Sequence, residues 1–110
     1  MAERDIVAAI LRLLKKTPFC FAWKEHGGMY GTAGIPDVIV CYRGRFVAFE
    51  VKTPSGKLTK LQENTITRIQ NAKGQAFKVT SAAEVATILK KLEVDPDESI
   101  GNLLLAGAGI

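Results

Sequence analysis

Three charged residues near the middle of the chain are spaced so that they could hold a metal ion. Asp37 follows Pro36, and Glu50 and Lys52 come later with one residue between them. Arg43 and Gly44 lie between two apolar stretches, which is a turn signal. If these two residues form the turn, Tyr42 faces Arg45 and Asp37 falls directly opposite Glu50. Paired side chains share one face, with Cβ atoms about 4.5–5.5 Å apart. Lys52, two residues beyond Glu50, lies on that face as well. A four-residue loop keeps this pairing, and a three-residue loop breaks it.

Two carboxylates so close repel unless positive charge stands between them. Carboxylate oxygens suit a hard divalent cation, Mg²⁺ or Mn²⁺, better than zinc. Such an ion polarises a phosphoryl oxygen and lowers the pKa of bound water. Lys52 would then orient or deprotonate that water, or stabilise developing negative charge. Spacing alone also allows a plainer alternative. Asp37, Lys52 and Glu50 would then form a cross-strand salt bridge at a sheet end, with modest stabilisation.

The elements that must position these residues can be read from periodicity. Residues 3–16 predict a helix, with Ile6, Val7, Ile10, Leu13 and Leu14 at helical spacing and Pro18 after it. Residues 19–24 predict a short aromatic strand. Residues 25–35, with Gly27, Gly28, Gly31 and Gly34, predict a loop. Those glycines match neither a P-loop nor a dinucleotide fingerprint. Residues 36–42 and 45–52 predict two strands. Residues 53–58 predict a loop. Residues 60–73 predict a helix with an inner stripe of Leu61, Thr65, Ile66, Ile69 and Ala72, stopped by Gly74. Residues 75–79 predict a fourth strand. Ser81 opens a last helix to about Leu92, with Glu84 at capping-box spacing.

The order is α-β-β-β-α-β-α. Val38, Val40, Val47, Phe49 and Val51 line one face of the middle strands, and Ile39, Cys41, Phe46 and Ala48 line the other. A sheet apolar on both faces needs cover on both sides, which gives an α/β sandwich.

The chain has 110 residues, of which 47% are apolar, enough for one domain with its own core. Residues 1–92 read as that domain and residues 93–110 as an acidic, then apolar, tail. The tail holds Glu93, Asp95, Asp97 and Glu98 and no base, so residues 1–92 carry 15 basic against 7 acidic residues. A body that basic suits an anionic partner, nucleic acid first. Cys20 and Cys41 are too far apart for a C-x-x-C pair, and one histidine cannot complete a zinc set with them. They read as two reduced, half-buried thiols. No leader and no membrane-spanning run is evident, so a soluble, intracellular protein is expected.

Gly34-Ile35-Pro36-Asp37-Val38-Ile39-Val40, followed by Val47-Ala48-Phe49-Glu50-Val51-Lys52, resembles the PD-(D/E)XK nuclease superfamily. The continuation Gly56-Lys57-Leu58-Thr59-Lys60-Leu61-Gln62, with Gly74 and Val79-Thr80-Ser81, resembles the virus-type replication-repair nuclease (VRR-NUC) family. The resemblance covers about residues 3–88. It implies an αβββαβ core with a mixed sheet flanked by helices, plus a C-terminal helix. It also implies hydrolysis of phosphodiester bonds with Mg²⁺ or Mn²⁺. Asp37 and Glu50 carry over as metal ligands, with the Val51 carbonyl as a further ligand and Lys52 as the water-positioning residue. Gln62 matches the family's helix glutamine, although Thr59 and Gln62 also have capping-box spacing. Glu3 matches an acidic residue of the first helix, with metal or water contact implied. A first-turn Glu also suits the helix dipole.

Lys24, Lys57 and Lys60 are candidate phosphate contacts, and His26 is a loop residue near bound DNA. Trp23 and Tyr30 are aromatic enough to stack on bases, but core or loop packing is the expectation for both. Among family members, stand-alone domains resemble Holliday-junction resolvases, which work as homodimers on branched DNA. The label points to a viral or mobile-element source. A structure-selective DNA endonuclease is therefore expected. The alternatives are a flap, nick or restriction-type nuclease, or a catalytically silent DNA-binding module.

Overall fold

The computed structural model describes residues 1–26 and 33–94. Tyr30, three of the loop glycines and residues 95–110 of the tail lie outside the described residues. The elements are α1 (Glu3–Lys16), β1 (Cys20–Lys24), β2 (Val38–Tyr42), β3 (Arg45–Val51), α2 (Lys60–Asn71), β4 (Gln75–Val79) and α3 (Ala82–Val94). The order matches the expectation from periodicity. The four strands form one sheet in the order β1-β2-β3-β4. β1, β2 and β3 are antiparallel neighbours, and β4 runs parallel to β3 after the α2 crossover.

The β2–β3 register is the one the turn predicted. Tyr42 pairs with Arg45, Val40 with Val47 and Val38 with Phe49. The turn residues Arg43 (φ 51°) and Gly44 (φ 82°) both have positive φ. This is the two-residue form whose twist matches that of the strands. Glycine adopts such a φ freely, but arginine does not. Arg43 is held there from several sides. Its N–H donates to the Phe19 carbonyl at 2.9 Å. Its guanidinium lies 5.1 Å from the centre of the Phe19 ring. Nε donates to the Tyr42 hydroxyl at 3.1 Å, and Glu93 stands 3.7 Å away.

The two faces of the sheet are covered unequally. On one face Val38, Val40, Val47, Phe49, Val51 and Val79 are buried beneath Ile6, Val7, Ile10 and Leu14 of α1 and Val85, Leu89 and Leu92 of α3. Phe49 stacks on Phe77 at 6.1 Å. On the other face, among the described residues, α2 packs over Ile39, Ala48 and Ala76 through Ile66 and Ile69. Helices therefore lie on both faces, as expected, but the α2 side is covered less fully. Phe46 and Cys41 are exposed, and β1 turns Phe21 and Trp23 outward with them. Core packing for Trp23 is corrected in the same way, as is half-burial for Cys41. The α2 helix lies toward β4 and reaches β2 at Ile39, but not Cys41 or the rings of β1.

Two further details differ from the sequence reading. Leu61 is half exposed, and Thr65 is the buried residue of the α2 stripe. At the end of α2, Lys73 takes the left-handed conformation (φ 73°), one residue before the Gly74 expected to stop the helix. Gly74 closes the helix by donating its N–H to the Ile69 carbonyl at 2.9 Å. It is glycine for want of space. A Cβ there would stand 2.9 Å from Ile69 Cγ2 and 3.1 Å from Phe46 Cδ1.

Ile10→Ala, at a fully buried position of α1, should lower stability by about 2–5 kcal/mol. Urea unfolding followed by circular dichroism measures it. A loss below about 1 kcal/mol, the scale of a surface change, would show that α1 does not seal the sheet.

Candidate active site

Asp37 sits one residue before β2, where the chain enters the sheet. Its carbonyl accepts from the Glu25 N–H at 2.8 Å, extending the β1–β2 ladder by one rung. Its carboxylate Oδ2 accepts from the Val51 N–H at 2.8 Å. The side chain thus takes over a β3 main-chain donor just past the last β2–β3 rung. Both bonds fix the carboxylate against the end of β3.

Glu50 is almost completely buried, with 3% of its surface exposed. Its Oε2 accepts from Gln62 Nε2 at 3.3 Å. Burial is the main force pushing its carboxyl up from the ordinary value of 4.5 to about 8. A hydrogen bond shared with Asp37 and the charge of Asp37 push in the same direction. Lys52 opposes the shift and Glu3 adds to it. Asp37, Glu50, Lys52 and Glu3 therefore occupy one electrostatic neighbourhood, with Gln62 bonded into it.

Lys52 continues from β3, and its N–H donates to the Val79 carbonyl at 3.0 Å. The 53–56 turn packs on its stem, since a Cβ at Gly56 would stand 3.3 Å from Lys52 Cβ. Gln62 has two bonding roles. Its N–H donates to Thr59 Oγ1 and its Oε1 accepts from the Thr59 N–H, which is the capping box. Its Nε2 remains for Glu50. The capping and site readings of this residue are thus compatible, and the cap aims the amide.

Gly34 joins α2 to the Asp37 segment. Its φ of 83° favours glycine. A Cβ there would stand 2.8 Å from both Leu61 Cγ and Thr65 Oγ1. The glycine lets the segment carrying Pro36 and Asp37 approach the helix that carries Gln62.

The other candidate residues lie farther out. Lys57 and Lys60 are exposed on the approach to α2, and Lys24 and His26 are exposed at the end of β1. Trp23 is 44% exposed, and its indole N–H donates to Glu25 Oε1 at 3.1 Å. Trp23 pairs with Ile39, so it shares the face of Asp37 and Glu50. Its exposure could not be read from the sequence, because it depends on where α2 stops.

Among the described residues no group of three or more His, Cys, Asp or Glu side chains converges into a metal cage. The site offers a carboxyl pair in which burial and Asp37 hold a proton on Glu50 at neutral pH. A divalent cation is the other way to relieve the same repulsion. The donors are all oxygens, so the residues fit Mg²⁺ or Mn²⁺.

No family model and no curated protein sequence matches this chain. Solved structures do. One described as "VRR_NUC domain" superposes with a TM-score of 0.64 at 20% identity, covering 84% of this chain and 95% of that one. Another, "VRR_NUC domain protein", gives a TM-score of 0.64 at 15% identity, covering 83% of this chain and 87% of that one. At these identities the likeness establishes the fold. The chain shares the fold of these VRR_NUC domain structures, the fold that the sequence resemblance implied.

Two outcomes follow. The folded protein binds more protons at Glu50 than the unfolded chain between about pH 4.5 and about 8. This contribution to stability is therefore present below that window and is lost as pH rises through it. Without metal, Glu50→Gln should gain stability relative to wild type as pH rises from 5 to 8. Urea unfolding in EDTA across that range checks it, and a constant difference would contradict the shift. Gly34→Ala should cost about 1–3 kcal/mol through the crowded contact. An unchanged unfolding midpoint would show that the 33–35 segment is not packed on α2.

Proposed function

We propose that this chain is a metal-dependent nuclease whose reacting centre is Asp37, Glu50 and Lys52, supported by Gln62. The observation that carries the reading is the buried Glu50 carboxyl paired with Asp37 on the face that also receives Lys52 and the Gln62 amide. A structural salt bridge does not require a carboxyl that burial keeps protonated. The VRR-NUC fold and the basic body support a nucleic-acid substrate.

Asp37 and Glu50 would hold the ion, with the Val51 carbonyl as a further ligand and Glu3 through charge or a bridging water. When bound, Mg²⁺ or Mn²⁺ supplies Lewis-acid polarisation of the phosphate and a more acidic water. The chain's own residues do the rest. The Val51 N–H fixes Asp37, and Gln62 fixes Glu50. Lys52 Nζ orients the attacking water and stabilises the charge that develops on the phosphate oxygens. Lys24, His26, Lys57 and Lys60 would hold the backbone of the substrate, which positions it without reading sequence.

Within this reading, DNA is the substrate and a structure-selective endonuclease is the activity, with branched DNA and a homodimer as in Holliday-junction resolvases. A flap, nick or restriction-type nuclease is the second enzymatic reading, and a silent DNA-binding module is the third.

Labelled four-way junctions, flaps and linear duplex, incubated with Mg²⁺, Mn²⁺ or EDTA, separate these readings. Metal-dependent, symmetric cutting of the junction is expected. Lys52→Ala should reduce cutting at least about 100-fold while binding persists. Normal cutting by that variant would overturn the assignment. Binding without cutting in any metal would leave only the silent module.

A further inference from the structure

The uncovered half of the sheet carries aromatic rings on the same face as the carboxyl pair. We infer that Phe21 and Trp23 form a stacking platform for unpaired bases, such as those opened at the branch point of a junction, beside the cut site. This rests on the nuclease reading for the cut site, but the platform itself does not.

The sheet register sets out three rows on that face. Phe21, Cys41 and Phe46 form one row, and Trp23, Ile39 and Ala48 form the next. Asp37 and Glu50 occupy the third, because Glu25 continues the ladder onto Asp37. Asp37 is thus the diagonal neighbour of Trp23, about 7–8 Å away. Trp23 lies between Phe21 and the reacting centre.

Phe21 is 70% exposed and Trp23 44%. Their ring centres are 5.8 Å apart with planes 49° apart, so neither ring covers the other's face. The 5.8 Å between the ring centres is well above the roughly 3.4 Å rise of stacked bases in a strand. The platform therefore suits bases already separated from one another. A continuous duplex cannot use it, because its base faces are buried within its own stack. Base–aromatic stacking contributes about 1–3 kcal/mol per base and tolerates any sequence.

Charge points to bases rather than phosphates at this spot. Glu25 holds the indole N–H, and its carboxylate repels a phosphate. The strand must then present bases to the rings and keep its backbone outward. Lys24, the next residue of β1, is exposed at the same sheet edge but on the opposite face, and the body as a whole is basic. A second copy of this chain is the rival occupant, and it would bury the same rings without needing their planes.

Trp23 is the only tryptophan, so its emission reports on this surface directly. The full chain in EDTA is titrated with a short oligothymidylate and, separately, with a blunt-ended hairpin duplex. The single strand should quench Trp23 and the duplex should leave it largely unchanged. Phe21→Ala and Phe21→Leu should each weaken single-strand binding about tenfold, and Phe21→Tyr should restore it. Equal quenching by both probes would overturn the platform. So would Phe21→Leu binding as wild type. A blue shift that grows with protein concentration and is unaffected by oligonucleotide would also overturn it, in favour of the second copy. Because the titration needs no cleavage, a protein that quenches but never cuts would refute the nuclease reading and leave the platform standing.

Discussion

The pairing of β2 with β3 determines which residues can meet in this molecule. Side chains alternate across a sheet, so a slip of one residue would put Asp37 and Glu50 on opposite faces. The Arg43-Gly44 turn sets the pairing at one end of the hairpin. The bond from the Val51 N–H to the Asp37 carboxylate secures it at the other. Arg43 tolerates positive φ because Phe19, Tyr42 and Glu93 hold its backbone and guanidinium in place. The turn and the carboxyl pair are thus two ends of a single constraint.

The remaining elements serve that hairpin. α1 and α3 seal its valine face, which makes the strands a rigid base. α2 covers the opposite face only far enough to bring Gln62 to Glu50, and Gly34 lets the Asp37 segment approach it. The same placement leaves Phe21, Trp23, Cys41 and Phe46 uncovered. The carboxyl pair costs stability where Glu50 is ionised and buried, and the apolar face beneath it offsets that cost. Such a conflict between local stability and charge is typical of sites that act on a ligand.

Much of this was legible in the sequence because strand alternation and turn chemistry are local rules. Arg43-Gly44 sets the register, and the register by itself puts Asp37, Glu50 and Lys52 on one face. Thr59 and Gln62 announced their cap in the same way. What could not be read depends on the lateral position of α2. Leu61, Cys41 and Trp23 look like core residues by type, and each is exposed because the helix lies toward β4. The crowding that keeps residue 74 a glycine comes from Ile69 nearby and from Phe46, which is distant in sequence.

The central claim is that Asp37 and Glu50 act as one unit that holds either a shared proton or a divalent cation. Carbon-13 NMR titration of the Glu50 side-chain carboxyl, with and without Mg²⁺, tests it most directly. Without metal, Glu50 should titrate near 8. Saturating Mg²⁺ should drive that titration down by favouring the ionised form, and Asp37→Asn should lower it in metal-free protein by removing the charge that repels it. A Glu50 that titrates near 4.5, its ordinary value, and is unmoved by Mg²⁺ or by Asp37→Asn would contradict the account.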